Sequence, residues 1–184
     1  MSRAGYVLAG GRSSRMGRDK ALLPFRGGAL GESVARVVEA AAGSVVIVGG
    51  AELAGYSTIP DLFPGEGPLG GILTALRHSR AHWNLIVACD MPELTPAFLA
   101  ELLDAAEDAD VDALLPAGPS GLAEPLCAVY HRRALRPIGE AFEAGIRKVT
   151  QALEGLDAVP YPVAEMAQFQ NVNTPEDWAG YAAE

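Results

Sequence analysis

Short apolar segments alternate along the chain with longer segments in which apolar residues recur at helical spacing. This alternation is typical of βαβ units around a mostly parallel sheet. The short segments predict strands, and the longer segments predict helices that cover the sheet. The expected strands are 4–8, 45–48, 83–88, 113–116, 126–130 and 158–163, with another ending near residue 60, and the expected helices are 30–42, 68–79, 96–108, 131–144, 148–153 and 175–182.

The chain of 184 residues is long enough for one sizeable α/β core and short for two domains of ordinary size. It contains no internal repeat, no low-complexity tract and no linker rich in Pro, Gly or Ser. We therefore expect a single domain over residues 1–184. The predicted fold class is a Rossmann-like three-layer α/β sandwich with a mostly parallel sheet.

Composition excludes several classes of protein. Hydrophobic residues make up 49% of the chain and charged residues 20%, and no apolar stretch is long enough to span a membrane. The net charge of -9 argues against general nucleic-acid binding, which needs a basic footprint. Two cysteines, Cys89 and Cys127, are too few for a disulfide framework, so we expect packed, reduced thiols. With no signal segment, these features predict a cytoplasmic protein that binds neither nucleic acid nor membrane.

Basic residues cluster near the N-terminus, where six of the 14 lysines and arginines lie within residues 1–26 and Asp19 is the only acid. Residues 8–20 follow the first predicted strand, the place where open α/β sheets bind ligands. Glycines there let the backbone approach a ligand closely, and Arg15 and Lys20 can neutralise phosphate charge. The segment matches neither the P-loop nor the Gly-x-Gly-x-x-Gly pattern. It predicts a polyphosphate-binding loop, and the alternative is a mobile surface loop with solvated arginines.

Two aspartates follow other predicted strands. Asp90 comes directly after the apolar run 85–88, so its carboxylate is expected in the same crevice, where it is placed to hold Mg²⁺. The alternative is that Asp90 caps the turn before Pro92. Asp61 follows another strand end, where an aspartate is often only a turn residue. Residues 67–71, Gly-Pro-Leu-Gly-Gly, permit close approach to a base or ribose, or simply begin the helix at 68.

Several motifs together resemble one known family. Residues 8–22, from Leu-Ala-Gly-Gly to Lys-Ala-Leu, are similar to the signature loop of GT-A-like nucleotidyltransferases of the nucleotide-diphospho-sugar transferase type, and in particular of the molybdenum cofactor guanylyltransferase family. Further family motifs follow in family order: Gly-Pro-Leu-Gly-Gly-Ile at 67–72, Cys-Asp-Met-Pro at 89–92, Glu-Pro-Leu at 124–126 and Asn-Val-Asn-Thr-Pro-Glu-Asp at 171–177. The resemblance therefore covers nearly the whole chain.

The resemblance implies that GMP passes from Mg²⁺-bound GTP to the molybdopterin cofactor, with release of pyrophosphate. It implies nucleotide contacts at Leu8, Ala9, Gly10, Gly11, Lys20, Asp61 and Asp90. The groups expected to act in catalysis are Arg15, Lys20 and Asp90. Asp90 is the expected magnesium ligand, with Asn173 as a second candidate. The residues expected to face the acceptor are Arg147, Lys148, Asn171 and Asn173.

One departure from the family pattern leaves the base selectivity open. Relatives often offer an asparagine after the second long strand, where this chain has Gly49 and Gly50. Cytidylyl transfer to the same cofactor is therefore an alternative, and a non-catalytic nucleotide-binding or cofactor-binding module is another. Retention of both Lys20 and Asp90 favours catalysis over the module. The resemblance also implies transient contact with proteins that insert the cofactor or receive it.

Overall fold

The computed structural model describes residues 2–10, 19–50 and 52–172. Within those ranges, no helix is long and apolar enough to cross a membrane. The helices are α1 (Leu30–Ala42), α2 (Pro68–His78), α3 (Pro96–Ala109), α4 (Leu135–Glu143) and α5 (Val149–Ala152). The strands are β1 (Arg3–Leu8), β2 (Pro24–Phe25), β3 (Gly28–Ala29), β4 (Val45–Val48), β5 (Ser57–Ile59), β6 (Trp83–Ala88), β7 (Ala113–Ala117), β8 (Cys127–His131) and β9 (Ala158–Pro162).

Seven of these strands form one mixed sheet in the order β5-β4-β1-β6-β8-β7-β9. Strands β5, β4, β1 and β6 are parallel neighbours, β8 runs antiparallel to both β6 and β7, and β9 runs parallel to β7. The chain passes from β1 to β4 on one side and later returns to β6 on the other. The carboxyl ends of four parallel strands therefore meet at one edge of the sheet, beside a topological switch point.

Helices cover both faces of this sheet. On one face, α1 and α3 pack over the side chains of Val7 and Val87. On the other face, α2, α4 and α5 pack over Tyr6 and Ile86. Successive residues of a strand point to opposite faces, so β1 and β6 contribute to both cores. The predicted three-layer α/β sandwich with a mostly parallel sheet is confirmed.

Local signals set the ends of the helices where they were predicted. Helix α1 ends at Gly43, whose φ of 77° is the left-handed conformation that a C-terminal glycine supplies. Helix α3 follows Thr95, whose hydroxyl accepts a hydrogen bond from the N–H of Phe98 at 3.3 Å, and Pro96 is its first residue. Both helices lie within one residue of their predicted bounds.

Two parts of the chain differ from the prediction, and a third predicted element lies outside the described residues. Strands β2 and β3, which were not predicted, form a hairpin whose turn has positive φ at both Arg26 and Gly27, as a type I′ turn requires. The helix predicted from residue 131 begins later. His131 ends β8, and its Nδ1 accepts a hydrogen bond from the N–H of Arg133 at 3.2 Å before a short 3₁₀ turn leads into α4. The helix predicted at 175–182 lies outside the described residues.

Strand β9 forms one outer edge of the described sheet. Just beyond it, the N–H of Val163 donates to the carbonyl oxygen of Ala117 in β7 at 2.9 Å. Since N–H groups alternate along a strand, that of Tyr161 also faces β7, and Pro160 and Pro162 occupy the outward positions. Proline has no N–H, so this edge offers few hydrogen-bond donors to another strand.

Both cysteines are buried and unpaired, as predicted. Burial raises the pKa of the Cys89 thiol to about 12 and raises the pKa of the Cys127 thiol as well. The two thiols therefore stay protonated near neutral pH and pack as small apolar groups.

Candidate active site

A cavity of about 270 Å³ opens at the edge where the parallel strands end. The ends of β1, β4, β5 and β6 form most of its wall. The start of α2, the residue before β8, Lys20 and Asn171 close the remainder. The lining consists of Leu8, Ala9, Gly10, Lys20, Val48, Asp61, Gly67, Pro68, Gly71, Ala88, Cys89, Asp90, Leu126 and Asn171.

The end of β1 passes very close to the turn that follows β4. A Cβ atom at Gly50 would lie 2.7 Å from the carbonyl oxygen of Ala9, and one at Gly49 would lie 3.2 Å from the Cα of Gly10. Gly49 and Gly50 both have positive φ, 67° and 69°. The two glycines thus allow two strand ends to meet, and they have no side chain that could contact a nucleotide.

Lys20 enters the cavity from a short 3₁₀ turn, Lys20–Leu22, at the end of the signature loop. Asp19 begins this turn, because its Oδ1 accepts a hydrogen bond from the N–H of Ala21 at 3.0 Å. Ala21 is fully buried and close to α1, since a Cβ at Gly31 would lie 3.0 Å from the Cβ of Ala21. The Nζ of Lys20 donates to Oδ2 of Asp90 at 3.1 Å, and their side chains are 18% and 16% exposed. An ammonium and a carboxylate therefore meet in a space with little solvent.

The backbone around Asp90 brings a second polar side chain to the cavity. The carbonyl oxygen of Asp90 accepts a hydrogen bond from the N–H of Val172 at 3.0 Å, which places the preceding Asn171 in the lining. Oδ1 of Asn171 is buried and has no hydrogen-bond partner among the described residues. A buried oxygen without a partner is costly, so Asn171 is a candidate for binding a ligand.

The oxygen atoms of Asp90 and Asn171 are the kind of ligand that Mg²⁺ prefers. The described part of the chain contains no group of three or more His, Cys, Asp or Glu side chains that could hold a metal ion. Magnesium usually takes one or two protein carboxylates and completes its shell with substrate phosphates and water. The residues present therefore fit a magnesium ion that arrives with a nucleotide.

Asp61 lies two residues after β5 and lines the cavity, and its contact with a nucleotide stays a prediction. Its Oδ1 accepts hydrogen bonds from the N–H of Phe63 at 2.9 Å and from the hydroxyl of Thr74 at 2.9 Å. The sequence analysis missed Thr74, because a threonine inside a buried helix carries no signal that distinguishes it from a packing residue.

The predicted acceptor residues Arg147 and Lys148 lie outside the cavity lining. The guanidinium of Arg147 donates to the carboxylate of Glu66 and to the carbonyl oxygen of Phe142 at 2.7 Å, and it stacks 3.9 Å from the centre of the Phe142 ring. Glu66 directly precedes Gly67 in the cavity wall, so Arg147 is linked to the cavity through this neighbour. Lys148 is exposed before α5. Contact of either cation with the acceptor stays a prediction.

Glu124 belongs to a motif to which the sequence analysis gave no role. Its Oε1 accepts a hydrogen bond from the N–H of Leu126 at 3.0 Å, and Leu126 lines the cavity. Burial raises the pKa of Glu124, and the negative charge of Asp90 raises it further. A second carboxylate therefore lies near Asp90.

A larger groove of about 610 Å³ lies between α3 and β9. Its lining includes the carboxylates of Glu93, Glu101 and Glu165 beside the rings of Phe98 and Tyr161, and it includes no lysine or arginine among the described residues. Three negative charges disfavour a polyphosphate, so the smaller cavity is the better candidate for a nucleotide.

Three residues that the sequence analysis singled out, Gly11, Arg15 and Asn173, lie outside the described residues. Their roles therefore stay predictions.

The family assignment follows from comparison with known proteins. A family model described as the MobA-like NTP transferase domain matches residues 5–158. The chain belongs to this family. The expected resemblance is therefore confirmed, and the match includes the cavity residues Leu8, Lys20, Asp61 and Asp90.

Individual relatives cover almost the whole chain. A probable molybdenum cofactor guanylyltransferase of Pelotomaculum thermopropionicum is 38% identical over 94% of this chain and 88% of that protein. A molybdenum cofactor guanylyltransferase of Xanthomonas euvesicatoria is 35% identical over 95% of this chain and 92% of that protein. The crystal structure of molybdopterin-guanine dinucleotide biosynthesis protein A from Archaeoglobus fulgidus has a TM-score of 0.81 and 32% identity, covering 97% of this chain and 96% of that one.

Proposed function

We propose that the protein transfers GMP from GTP to the molybdopterin cofactor and releases pyrophosphate. The observation that carries the proposal is the pairing of Lys20 with Asp90 in a cavity built from the ends of four parallel strands. Family membership supports nucleotidyl transfer, and the names of relatives at 35% and 38% identity support GTP as the donor and the molybdenum cofactor as the acceptor.

The donor lies with its triphosphate between the end of β1 and the end of β6. Backbone groups of Leu8, Ala9 and Gly10 bind the nucleotide, and Lys20 offsets the negative charge of its phosphates. Asp90 would hold Mg²⁺, with the oxygen of Asn171 or of Asn173 as a second ligand, and the metal would offset charge that develops on the phosphates. Gly11 and Arg15 extend the phosphate-binding segment.

The transfer itself needs little covalent chemistry from the protein. An oxygen of the acceptor's terminal phosphate forms a bond to the α-phosphorus of GTP, and the bond from that phosphorus to the leaving pyrophosphate breaks. Because the acceptor phosphate is already ionised near neutral pH, no side chain has to remove a proton. Positioning of the substrates and charge stabilisation by Lys20, together with the metal that Asp90 would hold, therefore supply the main catalytic effect.

The residues proposed to contact the acceptor are Asn171, Asn173, Arg147 and Lys148. The contact between Arg147 and Glu66 places this arginine beside the loop that ends in the cavity wall, so it is suited to an acceptor phosphate at the cavity mouth. We infer that the product then passes to proteins that insert or use the cofactor. The two buried, unpaired thiols support a cytoplasmic location.

A direct assay tests this function. The protein is incubated with Mg²⁺, the molybdenum-loaded molybdopterin cofactor and each of GTP, CTP, ATP and UTP in turn, and pyrophosphate release is measured together with the dinucleotide product. We expect product with GTP. Product from CTP alone would instead assign cytidylyl transfer. Tight nucleotide binding without product from any donor would indicate a non-catalytic binding module.

A further inference from the structure

Thr74 makes hydrogen bonds to the nucleotide site although it does not line the cavity. It lies in α2 and is only 1% exposed. Its hydroxyl oxygen lies 2.9 Å from Oδ1 of Asp61 and 2.9 Å from the carbonyl oxygen of Gly70, and it accepts a hydrogen bond from the N–H of Leu62 at 3.1 Å. The hydroxyl has one proton, and the charged carboxylate is the stronger of its two acceptors.

These contacts fix how Asp61 presents its carboxylate. Oδ1 already accepts from Thr74 and from the N–H of Phe63, whereas Oδ2 has no hydrogen-bond partner among the described residues. The turn after β4 lies beside Asp61, because a Cβ built at Gly49 would lie 3.5 Å from the Cβ of Asp61. Oδ2 is therefore the oxygen that Asp61 has available for a ligand in the cavity.

We propose that Thr74 is a positioning residue, which holds Asp61 so that Oδ2 accepts a hydrogen bond from an N–H or O–H group of the bound nucleoside. The inference rests on the proposed function, since it takes GTP as the donor. Because Thr74 acts through Asp61 and not through Lys20 or Asp90, its loss weakens nucleotide binding and leaves the transfer step largely intact.

Three single variants separate this role from a purely structural one. Thr74→Val keeps the size of the side chain and removes the hydroxyl, whereas Thr74→Ser keeps the hydroxyl. Ile138→Val removes one buried methyl group in α4, away from the cavity lining, and controls for lost stability. For each, KM and kcat with GTP are measured, with GTP affinity by calorimetry and the melting temperature.

Thr74→Val is expected to raise the KM and the dissociation constant for GTP about tenfold, because Asp61 is then no longer held in its binding position and has to be ordered when GTP binds. Its kcat should change by less than about twofold. Thr74→Ser is expected to recover most of the GTP affinity, and Ile138→Val to lower the melting temperature without weakening GTP binding. The binding measurement is repeated with ITP, which lacks the 2-amino group of guanine, and with 2′-deoxy-GTP, which lacks the 2′-hydroxyl group. The loss of affinity caused by Thr74→Val should be smaller for the nucleotide that lacks the group contacted by Asp61.

A double-variant cycle tests the route through Asp61. If Thr74 acts through this carboxylate, Thr74→Val with Asp61→Ala binds GTP no more weakly than Asp61→Ala alone. Fully additive losses would overturn the inference, as would a Thr74→Val protein with wild-type GTP affinity. Failure of the proposed function looks different, because the wild-type protein itself would then form no guanine dinucleotide.

Discussion

The opposite charges of Lys20 and Asp90 determine what the cavity can bind. Each is the other's counterion at 3.1 Å, and neither side chain is well exposed to water. In a space of this kind, a triphosphate with Mg²⁺ supplies both the anion that Lys20 prefers and the cation that Asp90 prefers. Under the proposed function, the pair therefore links phosphate binding to metal binding at one point.

This arrangement predicts the effect of removing the Asp90 charge. Asp90→Asn keeps the size of the side chain and weakens the metal contact, so we expect Mg²⁺-dependent transfer to fall by about a hundredfold or more while the fold is retained. Asp104→Asn is the matched control, because that carboxylate is exposed on α3. Circular dichroism checks the fold, and a product assay measures activity. Full activity of Asp90→Asn would remove Asp90 from the mechanism.

The thiols provide a second prediction at the level of single residues. Because burial raises the pKa of Cys89 to about 12 and also raises that of Cys127, both groups stay protonated at pH 8. A disulfide reagent such as DTNB should therefore label neither thiol in the native protein at pH 8 and both after unfolding in guanidinium chloride. Rapid labelling of one thiol per native chain would contradict the packing described here.

At the level of elements, the contact between β1 and the turn after β4 depends on glycine. Gly50→Ala places a Cβ atom 2.7 Å from the carbonyl oxygen of Ala9 at a φ of 69°. We expect it to lower the free energy of unfolding by about 2–4 kcal/mol and to weaken GTP binding. Gly55→Ala is the matched control. Its φ is 83° with open space around it, so it bears only the conformational cost of about 1 kcal/mol.

Denaturant unfolding of the two glycine variants measures the difference. An equal loss of stability in both would show that the close approach to Ala9 contributes nothing.

Elements with strong local signals could be predicted from the sequence, and elements set by distant contacts could not. Helix α1 has an apolar face and ends at a glycine, so both bounds were evident. The β2–β3 hairpin was missed because its turn places Arg26 at positive φ, which arginine rarely adopts. His131 was assigned to a helix because sequence alone does not show that β8 extends to it.

In the candidate site, too, local patterns predicted some residues, and contacts between distant residues could not be predicted. Lys20 and Asp90 were placed together because both follow strands whose carboxyl ends meet in a parallel sheet. The contacts of Thr74 with Asp61 and of Arg147 with Glu66 join residues 13 and 81 positions apart. No pattern in the chain indicates such contacts, since they depend on how α2 and α4 pack against the sheet.

At the scale of the whole molecule, the prolines of β9 protect an edge of the sheet. Replacing Pro160 with Val and Pro162 with Thr restores two outward N–H groups, and we expect the double variant to self-associate as its concentration rises. Pro64→Thr, in an exposed loop, is the control. Sedimentation velocity measures the association. A double variant that self-associates no more than the control would show that the prolines have no protective role.

The proposed function requires that this cavity select GTP and transfer its GMP to the molybdopterin cofactor. One reaction tests it most directly, in which wild-type protein acts on the cofactor with Mg²⁺ and equimolar GTP and CTP, and the mass of the dinucleotide product is determined. We expect the guanine dinucleotide to be the main product, formed together with an equal amount of pyrophosphate. A product that is mainly the cytosine dinucleotide, or no dinucleotide at all, would contradict it.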